Sequence, residues 1–120
     1  MSPELNNLFT APLPEGEGEV FRKLLEGGSF QLEAITSRGS ASPEGFWYDQ
    51  PHPEWVLLVR GSASLEFDEQ EKVDLVSGDY LLIPAHYRHR VSSVSSDALW
   101  LALHGRGHDL KSDKAVADGQ

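Results

Sequence analysis

The spacing of apolar residues constrains this chain more than any other feature. From Glu19 onward they fall in short runs, and each run stops at Gly, Pro, Ser or a charged turn. Phe30, Leu32 and Ala34 alternate with Gln31 and Glu33; Ala63, Leu65 and Phe67 alternate with Ser64 and Glu66; Val73 and Leu75 alternate with Lys72 and Asp74. Period-two alternation is the mark of strands with one buried face. Val56-Leu57-Leu58-Val59 is continuously apolar up to Gly61, which suits a strand covered on both faces. Val20 to Leu25, Tyr80 to Ile83 and Leu99 to Leu103 complete the set, while Ser37 to Pro43, Asp68 to Glu71 and Ser77 to Asp79 read as loops and turns. No stretch sustains a 3.6-residue period. The pattern predicts about eight to ten short strands, hence an all-β antiparallel sandwich or closed barrel.

At 120 residues the chain suits one domain with one core. Residues 1–18, rich in Pro, Glu, Gly and Asn, read as an irregular N-terminal arm. Its Leu5, Leu8 and Phe9 would lie on a neighbouring subunit or on the outside of the barrel. Residues 19–104 form the β domain. Residues 105–120 are polar and charged and read as a frayed tail. No apolar run approaches the roughly 18 residues of a membrane span. No basic-then-apolar leader opens the chain, so the cytoplasm is the expected location. The absence of cysteine excludes disulfides, thiolate metal sites and a Cys nucleophile. A net charge of −9 without a basic patch argues against nucleic acid and anionic membranes as partners. Its simplest meaning is solubility.

Two stretches carry the chemistry, one from Gly45 to Glu54 and one from Pro84 to Val91. There is no strained Gly-x-Ser-x-Gly turn for a serine hydrolase and no phosphate-binding glycine loop. What remains are imidazoles, carboxylates and a carboxamide. His86 and His89 are three apart just after a strand ending at Pro84, so a loop there can turn both rings to one point. Glu54 opens an apolar strand, where an unpaired inward carboxylate is costly and a metal ion would offset the cost. Gln50 and Tyr48 share a face of an extended chain. Gln50, Glu54, His86 and His89 are therefore the candidate metal ligands. A set of two imidazoles, one carboxylate and one amide suits Fe, Mn, Ni, Co or Zn better than Ca or Cu(I). The plainer reading of a histidine in a strand-rich chain is a surface or hydrogen-bonded residue. His52, between two prolines, reads as exposed, and His104 and His108 as incidental. Trp47, Trp55 and Trp100 read as core or pocket wall, and Asp49 as a turn residue or a partner that orients a ligand.

On these residues the chain resembles a small single-domain cupin. That family carries Gly-x5-His-x-His-x3–4-Glu-x6-Gly and Gly-x5-Pro-x-Gly-x2-His-x3-Asn. Here Glu54 precedes Gly61 by the right interval, and Gly78, Pro84 and His89 match the second pattern. Tyr48 and Gln50 stand where two histidines are usual, Ser42 where the first pattern opens with Gly, His86 where the second has Gly, and Ser93 where it has Asn. The resemblance covers Glu19 to Leu103. It implies a jelly-roll β-barrel with a divalent transition metal inside, and a homodimer built through outer strands and the N-terminal arm. By resemblance Glu54 and His89 carry over as ligands, and Gln50 by position only. His86 does not carry over and rests on its chemistry alone. Tyr48, a poor ligand as a neutral phenol, would be a catalytic acid or a hydrogen-bond donor to substrate.

The resulting expectation is a metal-dependent enzyme acting on a small organic molecule, of oxygenase, isomerase or decarboxylase type. Its pocket mouth would be lined by Phe46, Trp47 and Tyr48. The alternatives are a sensor module that binds a small molecule or metal without turnover, and a dimeric scaffold that has lost its metal.

Overall fold

A computed structural model describes residues 3–10, 18–39, 41–68 and 71–105. Among them the chain forms eight strands and no helix: β1 (Val20–Glu26), β2 (Phe30–Thr36), β3 (Glu54–Arg60), β4 (Ser62–Phe67), β5 (Lys72–Val76), β6 (Tyr80–Ile83), β7 (His89–Val94) and β8 (Leu99–Gly105). One sheet has the order β1-β2-β8-β3-β6 and the other β5-β4-β7. Every pairing between the strands is antiparallel. This is the all-β jelly-roll arrangement. No helix among the described residues is long and apolar enough to cross a membrane.

The chain passes from one sheet to the other at tight corners. Gly61 alone links β3 to β4, and its φ is +96°. An L side chain resists that conformation, and a Cβ there would come within 2.9 Å of Ala98 Cα. Gly78, at φ +97°, serves the corner between β5 and β6, where its N–H donates to Leu58 O at 2.7 Å. Both glycines fall on positions of the family pattern, so that spacing marks sheet-to-sheet corners.

The inner faces of the two sheets enclose Ile35, Val56, Leu58, Leu65, Phe67, Leu75, Ile83 and Trp100, with small Ala63, Ala98 and Ala102 between them. Leu58 and Val56 point inward from β3, while Leu57 and Val59 are half-buried on its outer side. The run that reads as covered on both faces is thus fully covered on one.

Two strand expectations change. β7 is not legible as a strand because its pairing with β4 shifts between Ser64 and Leu65, where Leu65 faces Val91 but Ser64 faces Ser93. The extra residue, Ser92, breaks the period of two. In β2 Ala34 is buried as expected, yet Glu33 and Ile35 are the residues that line the inter-sheet cavity, and Leu32 faces an outer groove.

Residues 3–10 of the arm lie over that outer groove. Arg22 Nη2 donates to Leu8 O at 3.1 Å, and Phe9 sits under the Arg60 guanidinium at 5.5 Å. Leu8 and Phe9 thus meet the chain's own outer face, and Leu5 is 95% exposed. The remainder of the arm, apart from Gly18, lies outside the described residues. So does the predicted tail except for Gly105, which ends β8.

Two substitutions test this packing in urea unfolding. Leu58→Ala is expected to cost about 2–5 kcal/mol through lost burial and a cavity. Gly61→Ala is expected to cost about 2 kcal/mol or more, since strain and the Ala98 contact add. A neutral Gly61→Ala would mean the corner is not built as described.

Candidate functional site

Between the sheets lies a cavity of about 80 Å³. Glu54 and Val56 reach it from β3, His104 and Trp100 from β8, Glu33 and Ile35 from β2, and His89 and Val91 from β7. Leu65 and Ile83 close the apolar side, and Glu19 and Phe21 come from the start of the edge strand β1. Tyr48 and Gln50 arrive on the long connection 37–53, which is stitched to β7. Tyr48 N–H donates to His89 O at 2.7 Å and His89 N–H to Tyr48 O at 3.1 Å, while His86 N–H donates to Gln50 O at 2.7 Å. Arg90 fastens the same connection from outside, donating to Ser42 O at 3.0 Å and pairing with Glu66 at 3.0 Å. Because β8 sits between β2 and β3, strand pairing sets His104 directly beside Glu54.

Glu54 and His89 are buried, at 7% and 6% exposure. His89 Nδ1 lies 3.0 Å from Tyr87 O. A carbonyl only accepts, so Nδ1 carries the proton and Nε2 keeps a lone pair. That lone pair faces Glu54 Oε1 at 3.9 Å. Burial holds the His89 imidazole below its usual range, against the Tyr87 carbonyl, which favours protonation. Burial also pushes the Glu54 carboxyl up; His104 opposes this, and Glu33 and Glu19 add to it. Across the cavity His104 Nε2 bonds Glu33 Oε1 at 2.7 Å and stands 3.8 Å from Glu54 Oε2. At the mouth Tyr48 O–H lies 3.5 Å from Glu19 Oε1, and the Tyr48 ring stacks on His89 at 5.3 Å. Burial and the Glu19 and Glu54 charges raise the Tyr48 pKa, so its phenol stays protonated at neutral pH. Burial raises Glu19 as well; the Tyr48 hydrogen bond opposes the shift and Glu33 adds to it.

Of the expected site residues, Tyr48, Gln50, Glu54 and His89 line the cavity. His86 does not. Its side chain is 68% exposed and bonds Asp49 at 2.9 Å, and its backbone takes φ +61°. That left-handed conformation explains why the family pattern has Gly at this position, and it turns the imidazole outward. Asp49 partners this outward ring. The mouth also differs from expectation. Phe46 packs edge-on against Tyr48 at 4.9 Å, and Trp47 lies under Arg88 at 5.3 Å, so only Tyr48 of the three lines the cavity.

His104, read as incidental, is part of the wall, as are Glu33 and Glu19. A signal for His104 exists: Trp100, Ala102 and His104 are two apart in one strand, so whichever way Trp100 points, His104 follows. His108 lies outside the described residues.

The donor chemistry fits a divalent ion at two points. The bare Nε2 of His89 and the Glu54 carboxylate, which makes no hydrogen bond among the described residues, face one another as electron-pair donors. Among the described residues no three His, Cys, Asp or Glu side chains form a metal-holding group, and His104 is engaged by Glu33. An ion here would therefore rest on Glu54 and His89, with the Gln50 amide oxygen as a third donor from the same wall.

The buried carboxylate should cost stability when no cation faces it. Its folded pKa lies above the unfolded value. Stability from its protonated form is therefore complete below 4.5, the ordinary glutamate value, and is lost as pH rises through the folded pKa. Glu54→Gln is expected to raise the Tm of metal-stripped protein at pH 7 by a few degrees, the scale of about 1 kcal/mol. The gain should shrink as pH falls toward 4.5. A lower Tm in the variant at pH 7 would contradict it.

No protein-family model matches the chain. A crystal structure from Ralstonia eutropha JMP134, of a protein whose proposed activity is mannose-6-phosphate isomerase, is 41% identical, with a TM-score of 0.80, covering 88% of this chain and all of that one. A cupin superfamily protein of Desulfitobacterium hafniense is 23% identical with a TM-score of 0.65, covering 88% of this chain and all of that one. A 3-hydroxyanthranilate 3,4-dioxygenase of Burkholderia lata is 34% identical over 58 residues, 46% of this chain and 33% of that enzyme. The match thus spans a third of the dioxygenase. Two antiparallel sheets around a Glu54–His89 cavity, and a likeness that runs the full length of both solved structures, agree: the chain has the cupin fold.

Proposed function

We propose that this cupin is an enzyme that takes a small organic molecule into the inter-sheet cavity and moves a proton on it, with a divalent transition metal held by Glu54, His89 and Gln50. The observation that carries this reading is the facing of Glu54 and the bare His89 Nε2 across 3.9 Å in a buried wall. Two electron-pair donors that face each other at that depth suit a cation between them. When bound, such an ion supplies Lewis-acid polarisation of a substrate oxygen.

The remaining roles belong to the chain's own residues. Tyr48 keeps its proton and is placed to donate a hydrogen bond or a proton at the mouth. Glu19, its partner at 3.5 Å with a raised pKa, is suited to accept one. One carboxyl tuned upward beside a phenol is the pairing that shuttles a proton between neighbouring atoms of a substrate, which favours isomerase-type chemistry. The proposed isomerase activity of the Ralstonia relative supports this choice. Val56, Leu65, Ile83, Val91 and Trp100 form the apolar wall that limits water around the transfer. The Glu33–His104 bond holds His104 away from full engagement with Glu54, leaving one Glu54 oxygen to face His89.

Metal analysis of protein purified anaerobically is expected to give near one divalent ion per chain. Glu54→Ala and His89→Ala should lower affinity by about tenfold or more, and His86→Gly should leave it unchanged. Protein that holds no metal and takes up none would end the metal assignment. The chemistry is read separately, by deuterium incorporation beside the carbonyl of hydroxyacetone in D₂O. Tyr48→Phe and Glu19→Gln should each slow it by about a hundredfold. Binding without any incorporation would make this a binding module.

A further inference from the structure

His104 stands between two carboxylates. Its strand, β8, lies between β2 and β3, and each neighbour sends a glutamate toward it. Glu54 is the direct cross-strand partner of His104. Glu33 is opposite Ala102, so it reaches His104 on the diagonal, two residues along β8. The ring is shared unequally. Its Nε2 lies 2.7 Å from Glu33 Oε1 and 3.8 Å from Glu54 Oε2. An ionised carboxylate only accepts, so in the bond to Glu33 the proton sits on Nε2. A ring nitrogen that holds a proton has no lone pair to give a metal.

The distances show what Glu33 withholds. Two metal–ligand bonds of roughly 2.0–2.2 Å join donors no more than about 4.4 Å apart. Glu54 Oε1 to His89 Nε2 at 3.9 Å and Glu54 Oε2 to His104 Nε2 at 3.8 Å both fall within that reach. The Glu54 carboxylate therefore has two imidazoles at nearly equal range, and what holds each of them differs. His89 turns Nδ1 to the Tyr87 carbonyl and keeps Nε2 bare, whereas His104 gives Nε2 itself to Glu33. Tyr48 and Gln50 bring no imidazole to the wall, so among the described residues the His104 ring is the one remaining source of a second nitrogen ligand there.

We infer that Glu33 sets the metal preference of this pocket: by tying up His104 it withholds a second imidazole and keeps the site at one nitrogen and two oxygens. This rests on the reading that Glu54, His89 and Gln50 hold a divalent ion. Oxygen donors suit manganese, and each added imidazole moves the balance toward zinc, cobalt and nickel. Glu33 thus acts through His104, as a positioning residue. A carboxylate that acted only by its charge, or as a ligand itself, would lower metal affinity when removed. Release of His104 raises it. The sign of the change separates the two.

The test uses the full chain, stripped with a chelator and reloaded with cobalt, manganese or zinc. Cobalt(II) spreads the ¹H spectrum, so the exchangeable N–H protons of metal-bound imidazoles can be counted. The wild type is expected to show one, from His89 Nδ1. Glu33→Ala should show two, and Glu33→Ala/His104→Phe one again. Glu33→Leu fills the same space without an acceptor and should match Glu33→Ala. Glu33→Gln keeps an acceptor and should match the wild type. In competition against a chelating dye, Glu33→Ala should bind zinc about tenfold more tightly while manganese changes little, so the zinc-to-manganese ratio rises about tenfold. Two imidazole signals in the wild type, or equal or weaker zinc binding in both Glu33→Ala and Glu33→Leu, overturns the inference. Wild-type protein that takes up none of the three ions overturns the metal assignment and this inference with it. Uptake by the wild type with an unchanged ratio in the variants overturns this inference alone, so the two failures are told apart.

Discussion

The structure depends on one expensive placement, a carboxylate and an imidazole lone pair buried face to face at the start of β3 and β7. Left to itself the Glu54 carboxyl resists ionisation, and His89 resists protonation, because burial disfavours the charged form of each. Neither side chain relaxes away. Glu54 is fixed by a strand paired on both sides, with Ile83 and His104 as its opposite numbers. His89 is fixed by its ring bond to Tyr87 and by paired backbone bonds to Tyr48. The apolar packing of Leu58, Phe67, Leu75 and their neighbours carries that cost. A few unfavourable electrostatic contacts are small beside a core of this size, which is why a fold can keep a destabilised site.

The same placement explains why the connection 37–53 is stitched so closely to β7. The smaller sheet has β7 as an edge, and the larger has β1 as an edge. The cavity opens between these two edges. Tyr48, bridged to His89, extends the smaller sheet toward β1, where Glu19 meets its hydroxyl. Phe21 remains 54% exposed on that side although it lines the cavity. The mouth is thus made of edge elements joined by a single long polar contact, and the inner wall of central strands. Rigid strands hold Glu54, Glu33 and His104. The groups assigned to proton movement sit on these edge elements.

Much of this was legible in the residues, with physical limits that can be named. Alternation located β2, β4 and β5, and apolar runs ended by Gly, Pro or a turn located β1, β3, β6 and β8. Alternation failed at β7, where Ser92 adds a residue and breaks the period between Val91 and Val94. In β2 it found Ala34, which is buried, but not the cavity face, because the outer side of that strand is apolar too, against residues of the arm, while the inner side carries Glu33 beside Ile35. Glu54 and His89 were found through intervals to glycine and proline, since those intervals measure the distance from a corner to the cavity. His86 was misread because spacing says nothing of backbone handedness, and at φ +61° a ring three residues from His89 points away from it. His104 was missed because its meaning comes from pairing with Glu54, fifty residues distant in sequence.

The acidity of the chain also acquires a second meaning. A net charge of −9 reads most simply as solubility, and most of its carboxylates serve that end. Three do not. Glu19, Glu33 and Glu54 share one small chamber, while Arg88 and Arg90, one on each side of His89 in sequence, are paired to Asp68 and Glu66 elsewhere. In β7 this follows from the period of two: with His89 and Val91 inward, Arg90 is directed to the other face. The alternation that buries the imidazole also keeps that arginine out of the cavity. A strand register that built the Glu54–His89 pair could not also have given the pocket the Arg90 charge, so the acidity of the chamber is tied to the geometry of the pair itself.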